Sequence, residues 1–208
     1  MATYGRRSLR DRFDLASTPH IAHPPRTHHR DFYVATDGSF RRATGEAGLG
    51  VVIETADGAR VARRALSTAA PDNNVAEYRA LRLGLDVLAA HAPSSARVGV
   101  LLDHDQLASN VNLATLTRDH PDWEALSELT VPPASRSYWR AIHTRLDSFG
   151  ELRAAVLDGG ENPAHPLANT PERYDHVNRE PVRPASGPSV AVPPPSRADR
   201  HAAGHADD

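Results

Sequence analysis

The stretch Phe32-Tyr33-Val34-Ala35-Thr36-Asp37-Gly38-Ser39 decides how this chain is read. An apolar run ends abruptly in Thr-Asp-Gly-Ser, which places a carboxylate at the end of a strand-like segment. Two further carboxylates occupy comparable positions. Glu77 lies in Asn73-Asn74-Val75-Ala76-Glu77-Tyr78, in the first turn of a helix-like segment, and Asp103 closes Val98-Gly99-Val100-Leu101-Leu102-Asp103. A carboxylate at the end of an apolar run is costly unless something compensates its charge, and a divalent metal is the usual compensation.

The pattern around these residues is mixed α/β. Residues 31–37 read as a strand. Residues 48–55 and 59–67 read as two more, joined by Ala56-Asp57-Gly58, a hairpin signal. Over residues 74–91, Val75, Tyr78, Leu81, Leu85 and Leu88 recur at spacings of three and four, which predicts a helix. Residues 97–103 are apolar enough for a strand covered on both faces. Short helices are expected over 104–112 and 137–149, a last strand over 151–157, and a short helix after Pro166. Residues 1–30 show no period and predict a flexible Arg- and His-containing tail. Residues 31–169 form the domain, and residues 170–208, Pro-rich from Pro181, predict a disordered C-terminal tail.

Composition narrows the chemistry. The 208 residues contain no Cys, so a disulfide framework, a thiolate metal site and a Cys nucleophile are all excluded. Any metal must be bound by oxygen and imidazole. All 24 basic residues are Arg, and the formal net charge is −2. Residues 1–30 carry six Arg against two Asp, while residues 31–169 carry 13 Arg against 18 acids, so the centre is acidic. That does not favour purely electrostatic nucleic-acid binding, although bound cations would offset it. No run is long enough for a transmembrane helix and residues 1–30 have no apolar h-region, so a cytoplasmic location is expected. Nothing in the patterned region marks a dimer interface, and a monomer is expected. The histidines His20, His23, His28 and His29 lie in the segment without period.

Each carboxylate also has a purely structural reading. Asp37 suits an Asp-Gly turn. Glu77 suits a capping box with Asn74 as N-cap, and Asp103 suits an N-cap. Glu77, Leu81 and Leu85 share one i, i+4 row, however, so Glu77 borders the buried stripe. All three carboxylates together at the mouths of adjacent elements point to a common site.

In this order the motifs resemble type 1 ribonuclease H: Thr-Asp-Gly-Ser, two strands, Asn73-Asn74-Val75-Ala76-Glu77 opening a helix, and a strand ending in Asp103. The resemblance covers residues 31–169. It implies a five-stranded mixed sheet, its first three strands antiparallel, flanked by helices. It also implies that Asp37, Glu77 and Asp103 bind two Mg²⁺ ions and that the enzyme hydrolyses the RNA strand of RNA–DNA hybrids endonucleolytically, with little sequence preference. Two hard cations about 4 Å apart can activate a water on one side of the phosphorus and stabilise the leaving oxyanion on the other. Carboxylates suit Mg²⁺, which prefers oxygen ligands.

The family's fourth ligand is an aspartate in a pattern like Asn-x-x-Ala-Asp-x-Leu-Ala. Here the chain reads Asn162-Pro163-Ala164-His165-Pro166-Leu167-Ala168, so His165 stands where the aspartate would, with the asparagine one residue closer. An imidazole ligand would make the site less negative and move its preference toward Mn²⁺. After Asp103 the chain reads His104-Asp105-Gln106 in place of Asp-Ser-Gln, which leaves Asp103 or Asp105 as the third carboxylate. Residues 113–136, with Asp119, Asp122, Glu124 and Glu128 against Arg118 and Arg136, stand in place of the family's basic protrusion. Hybrid binding would then draw on Arg41, Arg42 and the arginines of residues 1–30. By the same resemblance, Gly38, Ser39, Asn74 and Gln106 contact the substrate, through main-chain groups and small polar side chains that read 2′-hydroxyls. Two other readings stand beside this one. The first is a catalytically silent nucleic-acid-binding module of the same fold. The second is a metal-dependent glycosyltransferase built on the Asp103-His104-Asp105 motif, disfavoured by the antiparallel start and the missing Gly-rich phosphate loop.

Overall fold

The computed structural model describes residues 7–20, 30–124 and 127–183. In chain order its main elements are α1 (Leu9–Leu15), β1 (Phe32–Arg41), β2 (Glu46–Thr55), β3 (Arg60–Ala69), α2 (Asn73–Ala89), β4 (Arg97–Leu102), α3 (Asp105–Asp119), α4 (Arg136–Leu146), β5 (Glu151–Val156) and α5 (His165–Asn169), followed by a 3-10 helix over Pro171–Arg179. The strands form one sheet in the order β3-β2-β1-β4-β5. The pairs β1–β2 and β2–β3 are antiparallel, and β4 lies parallel to both β1 and β5. The five-stranded mixed sheet is therefore as expected. No described helix is long and apolar enough to cross a membrane.

Alternation along the strands divides the core into two layers. Phe32, Val34, Val98 and Val100 face α2, α3 and α4, where they meet Tyr78, Leu81, Leu85, Val111, Trp139 and Ile142. Tyr33, Ala35, Val52 and Leu101 face the opposite side, against Leu9 and Phe13 of α1 and Leu167 of α5. Asp37 continues the second set, so its carboxylate emerges on the α5 side of the sheet at the end of β1.

Residues 1–30 were expected to form a tail, and the described part of that segment corrects this. Leu9 and Phe13 are fully buried. Phe13 packs edge-on against Tyr33 with ring centroids 5.7 Å apart, and Leu9 N–H donates to Glu54 Oε2 at 2.9 Å. Ser17 bridges to Val156. The segment covers one face of the sheet and its β5 edge, so truncating residues 1–30 would uncover core rather than simply remove arginines. At the other end, the expected tail from residue 170 begins with the Pro171–Arg179 helix, whose Val177 is buried. The Pro-rich part beyond residue 183 lies outside the described residues.

Both sheet edges are closed by asparagine side chains that mimic a neighbouring strand. On β5, Asn112 of α3 donates to the Ala154 carbonyl and accepts from its N–H, both at 2.7 Å. On β3, Asn178 does the same to Ala65, at 2.7 and 2.9 Å. Each satisfies strand groups that an open edge would leave unpaired.

Three glycines set how closely the helices approach β1 and β2. A Cβ on Gly38 would lie 2.3 Å from the Ala76 carbonyl carbon, so its absence lets the first turn of α2 sit directly on β1. On the opposite face, a Cβ on Gly48 would fall 1.8 Å from the Ala168 oxygen, and one on Gly50 would fall 2.2 Å from the Ala164 oxygen. These contacts are with backbone and cannot yield by a rotamer change. Gly50→Ala should therefore push α5 off the sheet and cost about 1–3 kcal/mol, measurable as a lower urea midpoint at unchanged m-value. An unchanged midpoint would show that α5 is not seated on Gly50.

Candidate active site

Gly50 pairs with Asp37 across β1–β2, and the space it leaves is filled by the Ala164 and Ala168 backbone and by Leu167, which seats α5 close enough for His165 to reach Asp37. His165 Nδ1 is 3.1 Å from Asp37 Oδ2. Asn162 fixes the approach of this helix. Its side chain, 2% exposed, donates to the Thr36 carbonyl at 2.9 Å and accepts from Ala164 N–H at 3.0 Å. Asp103 arrives from the end of β4, which runs parallel to β1 and so delivers its C-terminus at the same end of the sheet. Asp37, Asp103 and His165 each offer a ligand atom within 4.8 Å of the others.

Glu77 stands behind this trio, as the fifth residue of α2, and is 2% exposed. Burial first, then the charges of Asp103 and Asp37, push its carboxyl up to about 10, against the Gly38 backbone. Its Oε2 is buried without a hydrogen-bond partner. Asp37, 1% exposed, is pushed up to about 7, again by burial first and then by Asp103, with His165 opposing. Buried polar atoms are nearly always satisfied. An unpartnered carboxylate oxygen beside two more carboxylates and an imidazole is a donor set lacking positive charge, and oxygen donors with one nitrogen fit a divalent cation.

The remaining sequence-predicted residues fall around this centre. Asp105 is the exposed first residue of α3 and is outside the cluster, so the geometry brings Asp103 to Asp37. The Asp103-His104-Asp105 motif does not act as a unit, because its histidine is the N-cap of α3: Leu107 N–H donates to His104 Nδ1 at 3.1 Å. The N-cap of α2 is Asp72, which accepts from Val75 N–H at 2.8 Å. Asn74 was expected in that role but is the second residue of the helix, exposed, with its Oδ1 2.9 Å from His104 Nε2. Freed from capping, Glu77 faces the cluster. Gly38 is a packing contact with α2, and the Ser39 hydroxyl donates to the Ala168 carbonyl at 2.6 Å. Gln106, exposed on α3, donates to Asn110 at 3.1 Å. Arg41 is held by Glu46 and by the Asn169 carbonyl.

Two residues at the site were not foreseen. A Cβ on Gly159 would lie 3.0 Å from Asp103 Oδ2, so this glycine leaves room for the carboxylate. Asn169 Nδ2 lies 2.7 Å from His165 Nε2. The i, i+4 spacing of the pair was visible in the sequence, but the ring orientation that makes it a contact was not.

A reverse transcriptase-like family model matches residues 35–128, a stretch that contains all three carboxylates. No curated protein matches the chain. Among solved structures, the chain is similar to the ribonuclease H1 of the archaeon Halobacterium salinarum (22% identity, TM-score 0.51, 69% of this chain and 98% of that one). It is similar also to the N-terminal ribonuclease H domain of a Mycobacterium tuberculosis protein (23% identity, TM-score 0.54, 72% and 96%). A third similar structure is LC11-RNase H1, solved in complex with an RNA/DNA hybrid (22% identity, TM-score 0.51, 66% and 94%). The sheet order β3-β2-β1-β4-β5, the flanking helices and these similarities show that the chain has the ribonuclease H-like fold.

Proposed function

We propose that this protein is a divalent-metal-dependent endonuclease that hydrolyses the RNA strand of RNA–DNA hybrids. The observation that carries the reading is the convergence of Asp37, Glu77 and Asp103 from three different elements, joined by His165, with one carboxylate oxygen of Glu77 unpartnered. These four residues would hold the metal, Mg²⁺ or, with an imidazole in the set, Mn²⁺. When bound, divalent ions supply an activated water and a stabilised leaving oxyanion at the scissile phosphate. A hybrid-bound structure of similar fold supports the choice of substrate.

The chain's own residues supply position. With Oδ1 accepting from His104 Nε2–H, the exposed Asn74 is left with its amide NH₂ to donate to a phosphate or a 2′-hydroxyl. Ser39 is turned toward Ala168, so its part in recognition would fall to the backbone, as would that of Gly38. Gln106, exposed on α3, would offer a second polar side chain.

The test is an end-labelled hybrid incubated with Mg²⁺, Mn²⁺ or EDTA beside single-stranded RNA, duplex RNA and duplex DNA. Metal-dependent internal cleavage of the hybrid's RNA strand alone is expected. Hybrid binding without cleavage under either metal would instead make the protein a silent module of this fold, and neither binding nor cleavage would refute the reading altogether.

A further inference from the structure

We propose that Asn169 is a positioning residue whose amide holds the far ring nitrogen of His165 in either tautomer, so that Nδ1 can face the carboxylates as a donor without metal and as a ligand with it. The inference rests on the nuclease reading only for its consequence in metal binding. The contact itself stands on geometry. His165 and Asn169 are i and i+4 on α5, with Nδ2 2.7 Å from Nε2, while Nδ1 lies 3.1 Å from Asp37 Oδ2. The end of α5 is also anchored: the Asn169 backbone carbonyl accepts from Arg41 Nη2 at 3.0 Å, and Arg41 Nη1 lies 3.2 Å from Glu46 Oε2. The backbone that carries the amide is thus tied to β1 and β2.

A carboxamide is the side chain that can serve both states of the imidazole. With Nδ2 donating to Nε2, the ring proton sits on Nδ1 and is donated to Asp37, which satisfies a buried carboxylate without metal. Turned over, the same amide presents Oδ1 to an Nε2–H and leaves the Nδ1 lone pair facing Asp37 and Asp103. That second tautomer is the one a metal ligand requires, and a partner on the far ring nitrogen is what fixes it. An apolar residue could support neither arrangement, and a carboxylate only the second.

The experiment combines ¹⁵N NMR of the imidazoles in the metal-free protein with Mn²⁺ affinity by calorimetry, for the full chain and for Asn169→Leu, Asn169→Asp, His165→Ala and the Leu change combined with His165→Ala. In metal-free wild type the His165 ring shifts should place the proton on Nδ1, and Asn169→Asp should move it to Nε2. Asn169→Leu should weaken Mn²⁺ binding about tenfold or more, Asn169→Asp should retain it within a few-fold, and the Leu change should have no further effect once His165 is Ala. An unchanged tautomer in Asn169→Asp, or an equal loss of Mn²⁺ from the Leu change with and without His165, would overturn the proposal. Failure of wild type to bind Mn²⁺ would overturn the nuclease reading instead, and the NMR comparison would still decide the role of Asn169.

Discussion

Asp37→Asn should abolish cleavage of the hybrid's RNA strand while leaving the protein folded. Asp37 is the residue on which the site converges: it pairs with His165 at 3.1 Å, and Asp103 and His165 offer ligand atoms within 4.8 Å of its own. Removing one negative charge about 4 Å from a cation in a medium of effective dielectric about 20 forfeits about 4 kcal/mol per unit of cation charge. Since about 1.4 kcal/mol is tenfold in rate, the loss should reach on the order of a thousandfold or more in single-turnover cleavage. His165→Ala removes a neutral ligand from a partly exposed position and should cost less, on the order of ten- to a hundredfold. The stability arm separates chemistry from folding. Burial and Asp103 push the Asp37 carboxyl up to about 7, so above that pH the metal-free wild type holds a buried charge that the amide lacks. The variant should therefore be no less stable than wild type at pH 8. A variant with full activity, or one inactive only because it is unfolded, would remove Asp37 from the site.

What could be read in advance, and what could not, divides along sequence distance. The strands and α2 announce themselves through apolar periodicity, and Asp37, Glu77 and Asp103 are conspicuous because each interrupts or borders an apolar run. α1 is different. Only Leu9 and Phe13 of its seven residues are buried, and the partner that tethers it, Glu54, is 45 residues away. α3 runs seven residues beyond its expected end because Asn110, Asn112 and Thr115 are buried polar residues; their partners include the Thr130 carbonyl and the β5 backbone, so no apolar stripe marks the helix. The N-cap of α2 shows a subtler limit. Asp72, Asn73 and Asn74 are all competent capping types, and only the turn geometry shows that Asp72 reaches Val75 N–H. That choice matters for function, because it releases Asn74 toward His104 and Glu77 toward the cluster. Gly38, Gly48 and Gly50 were legible as glycines, but the backbone approaches that require them come from helices placed by the whole fold.

The metal-free protein should lose stability as the pH rises from 5 to 8, and a divalent cation should restore it most at the higher pH. Asp37 is raised from an ordinary value of 3.8 to about 7, and Glu77 from 4.5 to about 10. Between each ordinary value and the raised one, the folded state holds a proton that the unfolded state has released. The stabilisation from these protonated carboxyls is complete below about pH 4 and is lost as pH climbs through the raised values: through about 7 for Asp37, and continuing toward 10 for Glu77. Each group contributes up to about 1.4 kcal/mol per pH unit, and 1 kcal/mol is about 2–4 °C of Tm for a chain of this size. A fall of at least about 5 °C is therefore expected between pH 5 and 8 without metal. Mn²⁺ or Mg²⁺ binds the ionised carboxylates in competition with those protons, so its stabilisation should be larger at pH 8 than at pH 5. Scanning calorimetry with EDTA and with each cation at both pH values measures this directly. In Asp37→Asn the metal-free slope should flatten, and in Glu77→Gln it should flatten most above pH 7, where Glu77 is the group still holding its proton. A wild-type Tm indifferent to pH in EDTA, or one raised equally by metal at pH 5 and pH 8, would mean that the buried carboxylates are already compensated within the fold and do not await a cation.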